Sequence, residues 1–408
     1  MHNLKINGQR LWDSLMEMAK IGATEKGGVR RLALTDVDRE ARDLFVRWCE
    51  DAGCAVSVDA MGNIFARRPG RDDTAPPVMA GSHLDSQPTG GKFDGAYGVL
   101  AALEVVRTLN DAAYETSAPI EVAAWTNEEG SRFAPAMIGS GTFAGIFELD
   151  YAHRRADPDG LTLGAELQRI GYKGDGCGGR PVGAYFEAHI EQGPILEAEE
   201  KTIGVVTGAQ AQRWYEITLT GQESHAGPTP MEVRRDALVG AAAVVQAVNR
   251  IGHQFQPGAC ATVGMLEVSP NSRNVIPGQV FLTVDFRHPD DGRLAAMDKA
   301  LRRAADEAAA AAGLEMEFEQ IWQCAATPFD TACVDAVRAA AQASDFSHRD
   351  IISGAGHDAV YMAAVTPTAM IFVPCEDGIS HNEIENATPE DLAAGCQVLL
   401  GAVLAKDG

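Results

Sequence analysis

Residues 78–130 limit what this chain can fold into more than any other stretch. Val78-Met79-Ala80 is an apolar run that reads as the end of a buried strand. It breaks into a polar loop, Gly81-Ser82-His83-Leu84-Asp85-Ser86, which continues through Gly90-Gly91-Lys92-Phe93-Asp94-Gly95. Residues 98–109 are apolar at helical spacing. Pro119-Ile120-Glu121-Val122-Ala123-Ala124-Trp125-Thr126 is a second buried-strand pattern, and it ends in Asn127-Glu128-Glu129-Gly130. Strand, loop, helix, strand is the βαβ unit of an α/β sheet. Ligand groups in such sheets gather beyond the carboxyl ends of the strands. His83, Asp94, Glu128 and Glu129 all sit at that edge.

The chemistry of that edge points to cations. His83 offers an imidazole nitrogen and Asp94 a carboxylate, while Asp85, on the same side of an extended chain as His83, could orient the imidazole from behind. Two adjacent carboxylates, Glu128 and Glu129, are hard to ionise side by side unless a cation is near. A solvated acidic turn is the plain alternative for that pair. His189 and His381 also follow or lie near strand ends. His83, Asp94, Glu129, His189 and His381 make a mixed nitrogen and oxygen set suited to two divalent ions bridged by a carboxylate.

Around this stretch the chain reads as follows. Leu11, Leu15, Met18 and Ala19 share one helical face, and Thr35 with Asp38 starts a second helix striped by Val37, Ala41, Leu44, Phe45 and Trp48, with Gly53 as its stop. Residues 54–58 and 63–67 read as strands. Residues 155–183 form a polar excursion without clear periodicity, and 183–194 is another strand breaking into a polar loop. Beyond Gly208 the character changes: strand 213–220, helix 232–250, strands 261–268 and 280–288, helix 293–312 and strand 315–321. That β-α-β-β-α-β order describes helices packed on an antiparallel sheet, inserted into the first domain. The α/β pattern then resumes with helix 330–344, the glycine-rich turn Ser353-Gly354-Ala355-Gly356-His357-Asp358, strand 368–373, a polar loop with His381, and a last helix capped at Thr388 with Pro389 in its first position. The domains expected are 1–210 with 324–408, and the inserted 211–323.

At 408 residues, two domains are the default. A net charge of −23 disfavours nucleic acid and anionic membranes as partners. Met1-His2-Asn3-Leu4-Lys5 lacks the apolar core of a secretory signal, and the eight cysteines include no C-x-x-C pair, so a reduced, cytoplasmic protein is expected. His253, His288, His153, His348 and His2 lack supporting context and read as surface residues. In the inserted domain, Gly221-Gln222-Glu223-Ser224-His225-Ala226-Gly227-Pro228 is a polar loop, and Asn271-Ser272-Arg273-Asn274-Val275-Ile276-Pro277-Gly278 turns into a strand carrying Arg287. An arginine there can fork onto a carboxylate, or simply form a surface ion pair.

The motifs His83-Leu84-Asp85, Phe93-Asp94-Gly95, Asn127-Glu128-Glu129-Gly130, Glu187-Ala188-His189-Ile190-Glu191-Gln192-Gly193-Pro194, Ser224-His225-Ala226-Gly227, Asn274-Val275-Ile276-Pro277, Asp285-Phe286-Arg287 and Ile379-Ser380-His381-Asn382-Glu383 occur in one order. In that order the chain resembles the dinuclear-metal amidohydrolases of the hydantoinase/carbamoylase group, within the M20 metallopeptidase superfamily. The resemblance implies a catalytic α/β domain with a central mixed sheet, aminopeptidase-like, and an inserted ferredoxin-like α+β domain serving as lid and dimer interface. It implies two divalent ions, zinc first, with manganese, cobalt or nickel as alternatives. His83, Asp94 and His189 would hold one, and Asp94, Glu129 and His381 the other. Glu128 would be the general base. Gln192, His225, Asn274 (rather than Asn271) and Arg287 would bind substrate, with Arg287 on its carboxylate, and Gly356 and His357 would line the pocket. His225 would also stabilise the oxyanion, reaching the neighbouring subunit of a homodimer. Histidine rather than a carboxylate at position 189 points to carbamoylases, allantoate amidohydrolases and β-ureidopropionases. The expected reaction is hydrolysis of N-carbamoyl-L-amino acids, with allantoate as the near alternative. A peptidase or aminoacylase, or an inactive small-molecule binder, stands further off.

Overall fold

The computed structural model describes residues 4–176 and 178–407, so His2 and Cys177 lie outside the described residues. The chain divides into two compact units, Met1–Gly208 with Pro328–Gly408, and Ala209–Thr327.

The first unit is built on a mixed sheet. Its strands are β1 (Ala55–Val58), β2 (Ile64–Arg68), β3 (Val78–His83), β4 (Ile120–Trp125), β5 (Ala184–Ile190), β6 (Ile203–Ala209), β7 (His348–Ser353) and β8 (Thr368–Val373). They lie in the order β1-β2-β4-β3-β5-β8-β6, with β7 also on β6. β4, β3, β5 and β8 run parallel to one another, whereas β1 pairs β2, β2 pairs β4 and β6 pairs β8 antiparallel. Every residue of the four parallel strands is buried, as expected where helices cover both faces of a sheet. Trp125, Tyr185, Phe186 and Phe372 are among the fully buried side chains, and complete burial of a large apolar group is worth about 1.5–3 kcal/mol. Helix Ala96–Asp111 crosses from β3 to β4 and is buried along most of its length. Helix Asp36–Asp51 starts where the capping pattern puts it: the Thr35 side chain accepts the Asp38 N–H. Thr388 does the same for Asp391 at helix Pro389–Ala405.

The second unit has a four-stranded antiparallel sheet. Its order is Glu315–Cys324, Ala211–Thr220, Gln279–His288, Cys260–Ser269, so the first strand lies between the last and the third, the ferredoxin-like arrangement. Alternate residues Val280, Leu282, Val284 and Phe286 face inward, with Tyr215, Ile217 and Leu219 beside them. Helices Ala237–Gln254 and Asp291–Ala312 close that face with Ala241, Val244, Val248, Leu294, Met297 and Leu301. Among the described residues, no helix is long and apolar enough to cross a membrane.

Four expectations need correction. The excursion 155–183 contains helix Leu163–Ile170, bounded by the Thr162 cap and by Gly171 at φ +79°. Strand β3 does not end at Ala80: Gly81, Ser82 and His83 continue it, paired with Ala123, Ala124 and Trp125 of β4, so the loop begins only at Leu84. The helix expected from 232 begins at Ala237, because Asp236 accepts the N–H groups of Leu238 and Val239 and fixes the start there. His288 is buried rather than on the surface; its Nδ1 accepts the Asp290 N–H at 2.9 Å, which turns the ring inward. His253 is exposed, and His153 and His348 are half-buried against backbone carbonyls.

Candidate metal centre

The ends of β3, β4, β5 and β8 deliver the side chains of the centre to one edge of the first unit. His83 closes β3. The loop that follows returns Asp94 to its side, just before helix Ala96–Asp111. Gly95 makes that return possible: its φ is +65°, and a Cβ there would run into the His83 ring. After β4, Asn127 turns left-handed at φ +55° and presents Glu128 and Glu129 in succession. His189 is the penultimate residue of β5, and Gln192 follows at φ +58°. His381 lies in the loop beyond β8, again with a left-handed backbone at φ +54°.

Two groups of three result, His83-Asp94-His189 and Asp94-Glu129-His381, and within each group the candidate donor atoms all lie within 4.8 Å of one another. His83 Nε2 is 3.5 Å from Asp94 Oδ1 and 3.4 Å from Glu128 Oε2. His189 Nε2 is 3.2 Å from Asp94 Oδ1. On the other side, His381 Nε2 is 3.3 Å from Asp94 Oδ2 and 3.4 Å from Glu129 Oε2. Asp94 thus presents a different oxygen to each group. The imidazoles of the first group are oriented by the backbone: His83 Nδ1 lies 2.9 Å from the Asp85 carbonyl, and His189 Nδ1 lies 2.9 Å from the Ile190 carbonyl. With Nδ1–H donating there, Nε2 is the ring nitrogen that each histidine turns toward Asp94.

Asp85 works differently from the sequence expectation. Its carbonyl, not its carboxylate, meets His83; the carboxylate is 4.0 Å from Nδ1. Instead the two carboxylate oxygens accept the N–H groups of Glu128 (3.1 Å) and Glu129 (3.3 Å), which holds the paired glutamates at the centre.

Electrostatically the centre is a buried crowd of acids and imidazoles. Burial pushes Glu128 well above the ordinary carboxylate range, with Asp358, Glu129 and Asp85 adding to it against the pull of His83. Burial and then Asp94 carry Glu129 up to about 7. Asp94 is held well below its usual value: burial opposes this, but hydrogen bonds from His189, His381 and His83 outweigh it. Burial likewise opposes charge on the histidines, yet Glu128 and Asp94 raise His83 and Asp94 raises His189. His381 reaches about 9, burial being overcome by Asp94 and Glu129. Nitrogen and oxygen donors around a shared carboxylate, in a pocket that must otherwise neutralise itself with protons, fit two divalent cations.

The other expected site residues fall into two places. In the first unit, Gln192 Nε2 donates to Asp94 Oδ2 at 3.0 Å and to Ser380 Oγ at 3.1 Å. His357 is buried with its ring centroid 4.5 Å from that of His189 and Nε2 3.1 Å from Ser353 Oγ; Gly356 precedes it, half-buried. In the second unit, His225 and Asn274 are neighbours on the ribbon Ser224–His225 with Val275–Ile276, where the Ala226 N–H donates to the Asn274 carbonyl at 2.9 Å. Arg287 lies on strand Gln279–His288, where its guanidinium grips Asp285 at 2.7 Å.

Three residues act at the centre to which the sequence reading gives no role. Gln87 donates its N–H to Glu129 Oε1 (3.1 Å) and its Nε2 to Oε2 (2.7 Å). Ser380 and Glu385 bridge the His381 loop to Asp94. The available signal was Gly90-Gly91, a pair that marks close approach of another group to the loop backbone.

Residues 79–405 match the family described as Peptidase family M20/M25/M40. The chain is 52% identical over 403 residues to the N-carbamoyl-L-amino-acid amidohydrolase of Rhizobium meliloti, covering 98% of this chain and 97% of that protein. It is 31% identical over 390 residues to the allantoate amidohydrolase of Bacillus subtilis, covering 95% of each. The crystal structure of a hydantoinase/carbamoylase-family amidase from Burkholderia vietnamiensis matches at 65% identity with a TM-score of 0.97, over 99% of this chain and 98% of that one.

Proposed function

The chain belongs to peptidase family M20/M25/M40, among its hydantoinase/carbamoylase amidases, and from that premise we propose that it hydrolyses the carbamoyl C–N bond of N-carbamoyl-L-amino acids. The observation that carries this is the pair of donor triads joined at Asp94, with Glu128 3.4 Å from His83.

We assign His83, Asp94 and His189 to one divalent ion and Asp94, Glu129 and His381 to a second, zinc being the first candidate and manganese, cobalt or nickel the others. Such ions supply Lewis acidity and an activated water. Glu128 is then the general base. Burial raises its proton affinity, which favours taking a proton from the attacking water and passing it to the leaving nitrogen. The oxygen of that water adds to the carbamoyl carbon and the C–N bond to the amino-acid nitrogen breaks, releasing the L-amino acid and carbamate, whose remaining C–N bond breaks spontaneously to give carbon dioxide and ammonia. Gln192 and His357 border the centre and take the substrate from the first unit. His225, Asn274 and Arg287 carry the remaining substrate contacts in this reading, with Arg287 on the carboxylate.

The assembly proposed is a homodimer formed through the second unit. Strand Cys260–Ser269 lies at the edge of its sheet with Met265 and Leu266 exposed, and Val239 and Val245 are exposed on helix Ala237–Gln254. An open strand edge beside exposed apolar side chains favours pairing with a second copy.

Ammonia release from N-carbamoyl-L-methionine and from allantoate, measured side by side on zinc-, manganese-, cobalt- and nickel-loaded protein, tests the assignment. Turnover of the carbamoyl amino acid is expected. Release from allantoate alone, the substrate named for the Bacillus subtilis relative, would replace the substrate, and a protein inert with all four metals would overturn the enzymatic reading.

A further inference from the structure

Glu385 is buried, 1% exposed, and its carboxylate hydrogen-bonds to loops that supply proposed metal ligands. Its Oε1 accepts two backbone N–H groups, from Phe93 at 3.0 Å and from Asp94 at 3.1 Å. Its Oε2 accepts the Ser380 hydroxyl at 2.7 Å. Ser380 precedes His381 and also receives the Gln192 amide at 3.1 Å. One carboxylate therefore ties the backbone of the shared aspartate to the residue next to the last histidine. The loop around it is shaped to admit the carboxylate, because a Cβ on Gly91 would collide with the Glu385 carboxyl carbon and both its oxygens.

The two triads depend on this tie unequally. His83 and His189 ride on fully buried strands, and their Nδ1 atoms are anchored on backbone carbonyls. His381 has neither support: its side chain is 50% exposed, and its backbone, like that of Asp377, is left-handed. A non-glycine residue held in that region costs on the order of 1–2 kcal/mol and persists only when its surroundings insist on it.

We propose that Glu385 is a positioning residue that locks the His381 loop onto Asp94 and thereby sets the affinity of the Asp94-Glu129-His381 triad selectively. This rests on the two-ion reading given above. Glu385 touches neither substrate nor ion; it acts through Asp94 and Ser380.

Zinc content per chain, followed by equilibrium dialysis against buffered free zinc, with the retained ion located by anomalous diffraction, tests the assignment. Wild type should hold two ions. In Glu385→Ala the ion of the His381 triad should dissociate about 10–100-fold more readily, the usual effect of removing a ligand-orienting partner, while that of the His83-His189 triad stays near wild type. Glu385→Gln should restore wild-type affinity, since its amide oxygen still accepts both N–H groups and its NH2 can donate to Ser380 Oγ. Gly91→Ala, which crowds the carboxylate without removing it, should weaken the same ion and add nothing to Glu385→Ala, as coupled positions do. Unchanged affinity in Glu385→Ala with two ions in wild type would overturn the role of Glu385 alone, as would loss from the His83-His189 side. A glutamine variant as weak as alanine would show that charge matters rather than the tie, and would also overturn it. Wild type holding a single ion would overturn the two-ion reading and this proposal together.

Discussion

The two halves of the centre meet at one aspartate but are built by different means. On the His83-His189 side, position comes from secondary structure: two buried parallel strands aim the rings and their own backbone carbonyls fix the tautomers. On the Glu129-His381 side, position comes from side chains: Gln87 grips Glu129, Asp85 holds its N–H, and Glu385 with Ser380 secures the loop of His381. The first arrangement is as rigid as the sheet. The second is as rigid as a handful of hydrogen bonds, and it faces solvent.

The harshest test removes what the halves share. Asp94→Ala should lose both ions and all measurable hydrolysis, as read by metal analysis and ammonia release; two tightly held ions in that variant would break the comparison at its root. Glu128→Gln should keep both ions and substrate binding while kcat falls by about 10²–10⁴, the usual contribution of a positioned proton carrier. Proton release should then report on the second half. In chelator-treated protein His381, at about 9, carries a proton at pH 8, because its raised value favours the charged ring below that pH. Loading the Glu129-His381 triad must expel that proton, so its affinity should climb by about tenfold per pH unit between about 7 and 9, more steeply below about 7 where Glu129 is protonated too, and level off above 9. Calorimetry in buffers of different ionisation enthalpy measures the protons, and a release that does not decline above pH 9 would contradict the value. The mildest difference is one of stability. In metal-free protein, His83→Ala should cost about 1–3 kcal/mol because it empties a buried position, and half-exposed His381→Ala should cost less, both by denaturant unfolding.

The same contrast explains what the sequence made legible. Strands buried on both faces are continuous apolar runs, so β8 is legible at its observed bounds and β3 by its first three residues, while Gly81-Ser82-His83 read as loop because glycine, serine and histidine break the apolar run. Ligands at strand ends follow from the sheet, which is why His83, Asp94, Glu129, His189 and His381 could be gathered from positions far apart. The inserted unit was recognisable from the order of its elements, which matches the observed sheet. Glu385 and Gln87 were invisible because they act through backbone N–H groups or through another carboxylate, and nothing in residue type or spacing records those partners. Asp85 was seen for its alternation with His83, but a carboxylate that can reach two amides at a neighbouring strand end takes them in preference to a ring 4.0 Å away. Helix Leu163–Ile170 escaped because eight residues give too little periodicity to stand out from a polar stretch.

The strand order carries a consequence for how the chain is made. β8 sits between β5 and β6, yet it is synthesised last of the three and only after the whole second unit. Until it arrives, β5 and β6 each present an open edge. The donors His83, Asp94 and His189 have all been made before that gap opens, while His381 follows the strand that closes it. Filling of the second triad is thus a report that the sheet has been completed, and a chain released early would carry a half-furnished centre beside an unpaired, aggregation-prone edge.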